Sequence, residues 1–146
     1  MIKHRQEAQE VYRLLLDYME IHKKVFKSSL KELGAALGLS TPVPYSLHRD
    51  RLDAIRVDLR RIIKKVSRDS DISATTLVEY AEALTEAVSA IHDIVSRLAD
   101  VAAGAGVFYG RKEYKEAVKA YNERVKKYTA LGYKLNEFFP NITGKM

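Results

Sequence analysis

Arg56, Arg60, Lys64 and Arg68 recur at every fourth position, with Arg61 and Lys65 one step to the side and Arg49 and Arg51 just before them. On a helix, a spacing of four stacks side chains into one ridge. A ridge of fixed cations suits one kind of chemistry, the neutralisation of a polyanion. Arginine serves it better than lysine, because its planar fork donates two hydrogen bonds to a phosphate. A second basic run, Arg111, Lys112, Lys115, Lys119, Arg124, Lys126 and Lys127, is interleaved with Tyr109, Tyr114, Tyr121, Tyr128 and Tyr133. Tyrosines beside cations can stack on bases. Tyr114, Tyr121 and Tyr128 fall on an apolar seam and read as core, which leaves Tyr109 and Tyr133 as free rings. The expected nucleic-acid-binding set is therefore Arg49, Arg51, Arg56, Arg60, Arg61, Lys64, Lys65, Arg68, Lys112, Lys115 and Lys119.

Other chemistry finds little purchase. The chain has no cysteine, so thiolate metal sites, cysteine nucleophiles and disulfides are excluded. Its four histidines, His4, His22, His48 and His92, include no pair three or four apart, so no metal site and no cofactor are expected. A metal would need ligands converging from different helices. Glu79, Glu82 and Glu86 share one helical face and read as a solvated edge or as partners for a basic helix. The glycines Gly104, Gly106 and Gly110 follow a helical pattern rather than a strand, which is the wrong context for a phosphate-cradling loop. With no nucleophile elbow or dinucleotide fingerprint either, the expectation is a protein that is not an enzyme and takes no small-molecule substrate.

The elements that must carry these side chains are helical. Val11, Leu14, Tyr18, Ile21 and Val25 recur at spacings of 3 and 4, which predicts a helix over about 6–26. Ser29-Leu30-Lys31-Glu32 is a capping box opening a short second helix that stops near Gly38. Pro42 and Pro44 break the chain. Leu52, Ile55, Leu59, Ile62 and Val66 stripe a helix from about Ser46, and Ser67–Ser73 is a polar connector. Leu77, Ala81, Leu84, Val88, Ile91, Val95 and Leu98, widened by Tyr80, Ala87, Ile94 and Val101, predict a helix from about Ala74 to Ala103 that is covered on more than one side. After a glycine turn, Tyr114, Val118, Tyr121, Val125, Tyr128, Leu135 and Phe139 stripe the last helix, which Pro140 ends. No stretch alternates with a period of two, so no sheet is expected.

The fold class is thus all-α, a bundle of four main helices plus one short helix, with short connectors that favour antiparallel neighbours. A chain of 146 residues fits one domain, 1–146, in which 1–40 reads as an N-terminal helical arm or hairpin and 45–139 as core helices. The net charge of +6 is unevenly spread, with 8 basic and 4 acidic residues over 41–70 against 1 and 6 over 71–100. That segregation places a cationic helix beside an acidic one. The first seven residues carry no apolar run, so no classical secretion signal is expected, and the apolar run 98–109 is too short to span a bilayer.

Two local resemblances accompany this reading. Ser29–Ser40, with Gly34, the Gly38 turn and the cap-like Ser40, resembles the first helix and turn of a helix-turn-helix DNA-binding unit. It implies a following helix that reads the major groove, although Pro42 and Pro44 stand at the start of that helix. Arg111–Val125, with Tyr114, Glu116-Ala117-Val118 and Tyr121-Asn122, is similar to the C-terminal helix of LemA-type helical bundles; the membrane segment of that family has no counterpart in this sequence. The expected function is non-catalytic binding of nucleic acid, double-stranded DNA in particular, in packaging, as nucleocapsid or coat-type proteins do, or in regulation. The expected location is cytoplasmic or nucleoprotein-associated, and a homo-oligomer is expected. The alternative is an oligomeric helical scaffold or protein–protein interaction module, because the 3–4 seams of the last two helices could pack between subunits.

Overall fold

The computed structural model describes residues 3–36, 45–102 and 111–140; for 27–36, 102 and 111 it describes the backbone alone. Four helices make up the described chain: α1 (Arg5–Ala36), α2 (Tyr45–Val66), α3 (Ile72–Ala102) and α4 (Arg111–Phe138). They pack against one another, and no strand occurs among the described residues.

The long third seam organises the packing. Leu77, Tyr80, Ala81, Leu84, Ala87, Val88, Ile91, Ile94, Val95 and Leu98 are all buried. At 100° per residue these, with the buried Ala74 and Ala83, cover roughly half of the α3 circumference. One neighbour cannot cover so wide a face, and α3 is in contact with α1, α2 and α4. The remaining strip of α3 is exposed and carries Glu79, Glu82, Glu86, Asp93 and Asp100. Leu52, Ile55, Leu59, Ile62 and Val66 of α2 are buried as the stripe predicts, as are Val11, Leu14, Tyr18, Ile21 and Val25 of α1.

The first helix differs from its expected form. Instead of ending near Phe26 and restarting at Ser29, it continues as one element to Ala36. The physical reason is that Lys27-Ser28-Ser29 contains neither proline nor glycine. Serine costs an interior helix only a few tenths of a kcal/mol, roughly, relative to better formers, so a local capping signal does not interrupt the ladder. The Gly38 turn and the Pro42/Pro44 break lie outside the described residues, as does the glycine turn near Gly104–Gly110.

Between α2 and α3 the chain turns sharply. Asp69 N donates to the Val66 carbonyl at 3.0 Å, and Thr75 N donates to the Asp71 carbonyl at 3.0 Å as the first bond of α3. Asp71 occupies the N-cap position, where a carboxylate is favoured by the unpaired amides of the first turn. Because Leu84 is fully buried at the centre of the seam, Leu84→Ala should lower stability by about 2–5 kcal/mol, read by urea denaturation, whereas exposed Val57→Ala should change it by less than about 0.5 kcal/mol.

Candidate nucleic-acid interface and polar clusters

The helix α2 sits between α1 and α3, and its cations divide among three directions. Arg56 turns toward α3: it is half-buried, donates to Asp53 Oδ1 at 2.7 Å and reaches Ser89 Oγ at 3.4 Å. Arg49 approaches Asp100 of α3 at 3.8 Å. On the other side, Arg61 pairs with Glu10 of α1, and Lys65 pairs with Glu7 of α1 at 3.1 Å. The sequence ridge is therefore not one free row. What remains outward is Arg60, Lys64 and Arg68, all exposed and without an ion pair among the described residues, with Arg51 exposed near the other end of the helix. Arg60 and Lys64 stand about 6 Å apart along the helix axis, and Arg68 follows in the turn after Val66. Lys64 and Lys65 also lie in the last turn of α2, where cations stabilise the helix dipole whatever they bind.

The second expected patch lies on α4. Lys112, Lys115 and Lys119 of α4 are exposed. Among the described residues the backbone of α2 approaches α1 and α3, and that of α4 approaches α3. The two basic sets are thus carried by helices that share no close backbone approach among the described residues. Part of the α4 charge is bonded within the molecule, since Lys127 donates to Glu86 at 3.2 Å. Glu79, Glu82 and Glu86 are exposed, and Glu86 serves as a partner to a basic helix. Tyr121 and Tyr128 are core, Tyr133 is 73% exposed, and Tyr109 lies outside the described residues.

Sequence patterning does not disclose a polar network that joins α1 to α4. Tyr18 Oη and Tyr121 Oη are hydrogen-bonded, and Tyr121 Oη lies 2.6 Å from His22 Nδ1. Phe26 stacks on Tyr121 with ring centres 5.5 Å apart, and Tyr128 meets both Tyr18 and Tyr80 edge-on. Burial raises the phenol pKa of Tyr18, Tyr121 and Tyr80 well above the usual value and lowers that of His22. All four side chains are consequently neutral near pH 7. With the His22 proton assigned to Nε2, Tyr121 donates to Nδ1 and accepts from Tyr18, which satisfies each group. Neutral, enclosed phenols of this kind specify packing and supply neither a base nor a nucleophile.

Two further clusters are present. Between α2 and α3, His92 Nε2 lies 3.0 Å from Asp53 Oδ1. Hydrogen bonding from Arg56, with the charges of His92 and Arg56, lowers the Asp53 pKa against the opposing effect of burial. At the other end, His4 comes together with Asp69 and Asp71 of the α2–α3 turn, one donor atom from each within 4.8 Å of the others. This is a convergence across the fold that helical spacing cannot reveal. No helix among the described residues is long and apolar enough to cross a membrane. No protein-family model matches the chain, and neither a curated protein nor a solved structure shows significant similarity to it.

Loss of the central hydroxyl should cost more than loss of a terminal one. Tyr121→Phe removes one partner of Tyr18 and leaves His22 Nδ1 unpaired, and should destabilise by about 1–3 kcal/mol in urea, whereas Tyr18→Phe leaves Tyr121 bonded to His22 and should cost about 1 kcal/mol. His48 provides a pH test. It is buried with Nδ1 unpaired, and burial, then Lys24 and Arg51, lower its pKa. The unfolded chain takes up that proton at about pH 6.5 while the folded chain resists it, so stability falls as pH drops below that point. His48→Leu should flatten the decline in denaturation midpoint between about pH 7 and pH 5, leaving the same-sign contribution of His22.

Proposed function

We propose that this protein is a non-catalytic nucleic-acid-binding helical bundle, favouring double-stranded DNA, in a packaging, architectural or regulatory role. The observation that carries the reading is the exposed set Arg60 and Lys64 on the C-terminal half of α2 with Arg68 in the turn just beyond Val66, all free of ion pairs among the described residues, the helix being anchored on its opposite face by Leu59, Ile62 and Val66. A rigid row of this kind can follow one phosphate strand without ordering long loops first. It would contact backbone phosphates, which position a protein but carry no sequence information. The α2 contacts support a single folded unit with antiparallel neighbours, because Arg49, Asp53 and Arg56 meet Asp100, His92 and Ser89 in descending order.

A second reading has its own observation. Tyr12, Leu15 and Met19 of α1, with Tyr128, Gly132 and Tyr133 of α4, line an open apolar groove of about 290 Å³, and Leu16 beside it is 44% exposed. Such a groove suits a helical scaffold or homo-oligomer, which the concentration dependence of the solution mass would reveal.

Binding of a random-sequence duplex should weaken log-linearly with salt, with a slope of about −3 for three phosphates neutralised. The combined variant Arg60→Ala, Lys64→Ala, Arg68→Ala should remove most of that slope and bring binding to the level of the bare bundle. Lys112→Ala, Lys115→Ala and Lys119→Ala together should leave more than half of the slope in place. A wild-type protein that fails to bind duplex at low salt would refute the proposal.

A further inference from the structure

His4 stands immediately before α1 with a backbone φ of 65°, in the left-handed region that residues other than glycine seldom adopt. In that conformation its Nε2 lies 2.5 Å from Asp69 Oδ2, across 65 residues of sequence. Asp71 follows two residues later in the same turn, and one donor atom from each of the three side chains lies within 4.8 Å of the others. One imidazole and two carboxylates are the donor set of a first-row divalent cation. The nitrogen disfavours magnesium and calcium, and the carboxylates balance the charge.

The geometry points to a divalent transition-metal site, with zinc as the representative ion, held by His4 Nε2 and one oxygen each of Asp69 and Asp71, with solvent completing the shell. Donors about 2.0–2.2 Å from such an ion lie roughly 3–3.5 Å from one another, so small torsional changes convert the present cluster into a coordination shell. The His4–Asp69 pair opens slightly and Asp71 moves inward.

Charged and polar groups flank the cluster. Behind the His4 ring, Glu7 Oε1 lies 3.9 Å from Nδ1, the nitrogen that would remain protonated when Nε2 binds metal, and Lys65 holds Glu7 at 3.1 Å. Ser73 Oγ donates to Asp71 Oδ2 at 2.6 Å, which orients the carboxylate. The Asp71 carbonyl is fixed by Thr75 N at 3.0 Å and Thr75 Oγ1 at 3.1 Å, so its backbone needs no rearrangement. A bound ion would tie the start of α1 to the turn that joins α2 and α3. This site is independent of the Arg60–Lys64–Arg68 row, and neither proposal depends on the other.

The test titrates the metal-free full chain with Zn²⁺ by calorimetry and with Co²⁺ by visible absorption. The expected result is one ion per chain, a ligand-field spectrum from Co²⁺, and a thermal midpoint that rises with Zn²⁺. His4→Asn keeps a residue tolerant of the left-handed backbone but removes the imidazole. Asp71→Asn keeps an equally good N-cap while removing the carboxylate. Each should weaken Zn²⁺ binding at least tenfold with the metal-free helical circular dichroism unchanged. Should His4→Asn fail to fold, Asp71→Asn alone decides. Absence of Zn²⁺ uptake by the wild type, or uptake that Asp71→Asn leaves unaltered, would overturn the assignment.

Discussion

The breadth of the apolar face on α3 is the constraint from which the rest of the structure follows. A helix buried over about half of its circumference needs neighbours on more than one flank, and each neighbour must turn its own stripe inward. Leu52, Ile55, Leu59, Ile62 and Val66 commit one side of α2 to this task, and Tyr121, Tyr128 and Leu135 commit one side of α4. The charges of those helices then have only the outer surfaces left. At about 25 cal/mol per Å² of apolar surface, burial of this seam far outweighs any preference the surface charges have among themselves.

That ordering of magnitudes explains how the cations are distributed. Those nearest the helix interfaces are drawn into pairs with acids on adjacent elements, as Arg49 is by Asp100 and as Lys65 is by Glu7. Those that project furthest from the α3 seam keep their charge in solvent. The division is a matter of angle around α2 rather than of residue type, and it reduces a run of eight basic residues to a narrow outward row. The α1–α4 side is closed differently, by rings instead of aliphatic ridges. Its phenols and imidazole need one another as hydrogen-bond partners, and mutual satisfaction makes the pairing of these helices specific.

Much of the architecture was legible in the sequence because buried positions on a helix recur every three or four residues. The stripes on α2, α3 and α4 and the core roles of Tyr121 and Tyr128 follow from that recurrence. The continuity of α1 through Ser28 and Ser29 was not legible, because a capping box is a local pattern that competes with an uninterrupted helical ladder. Nor could spacing say which cations would find partners. Glu7 and Glu10 lie more than fifty residues from Lys65 and Arg61, and only the placement of α1 against α2 brings them together. The same holds for His4 beside Asp69 and for Tyr18 beside Tyr121. Periodicity reports which face a residue occupies, whereas a site is made by which faces meet.

The central claim is that the outward side of α2, and not α4, is where a polyanion would lie. Backbone amide shifts of the ¹⁵N-labelled protein during titration with a short random-sequence duplex test this directly. The account predicts changes concentrated at Arg60, Lys64, Arg68 and their neighbours on the same face, with the buried side of α3 undisturbed. Changes concentrated on Lys112, Lys115 and Lys119, or an unaltered spectrum at low salt, would contradict it.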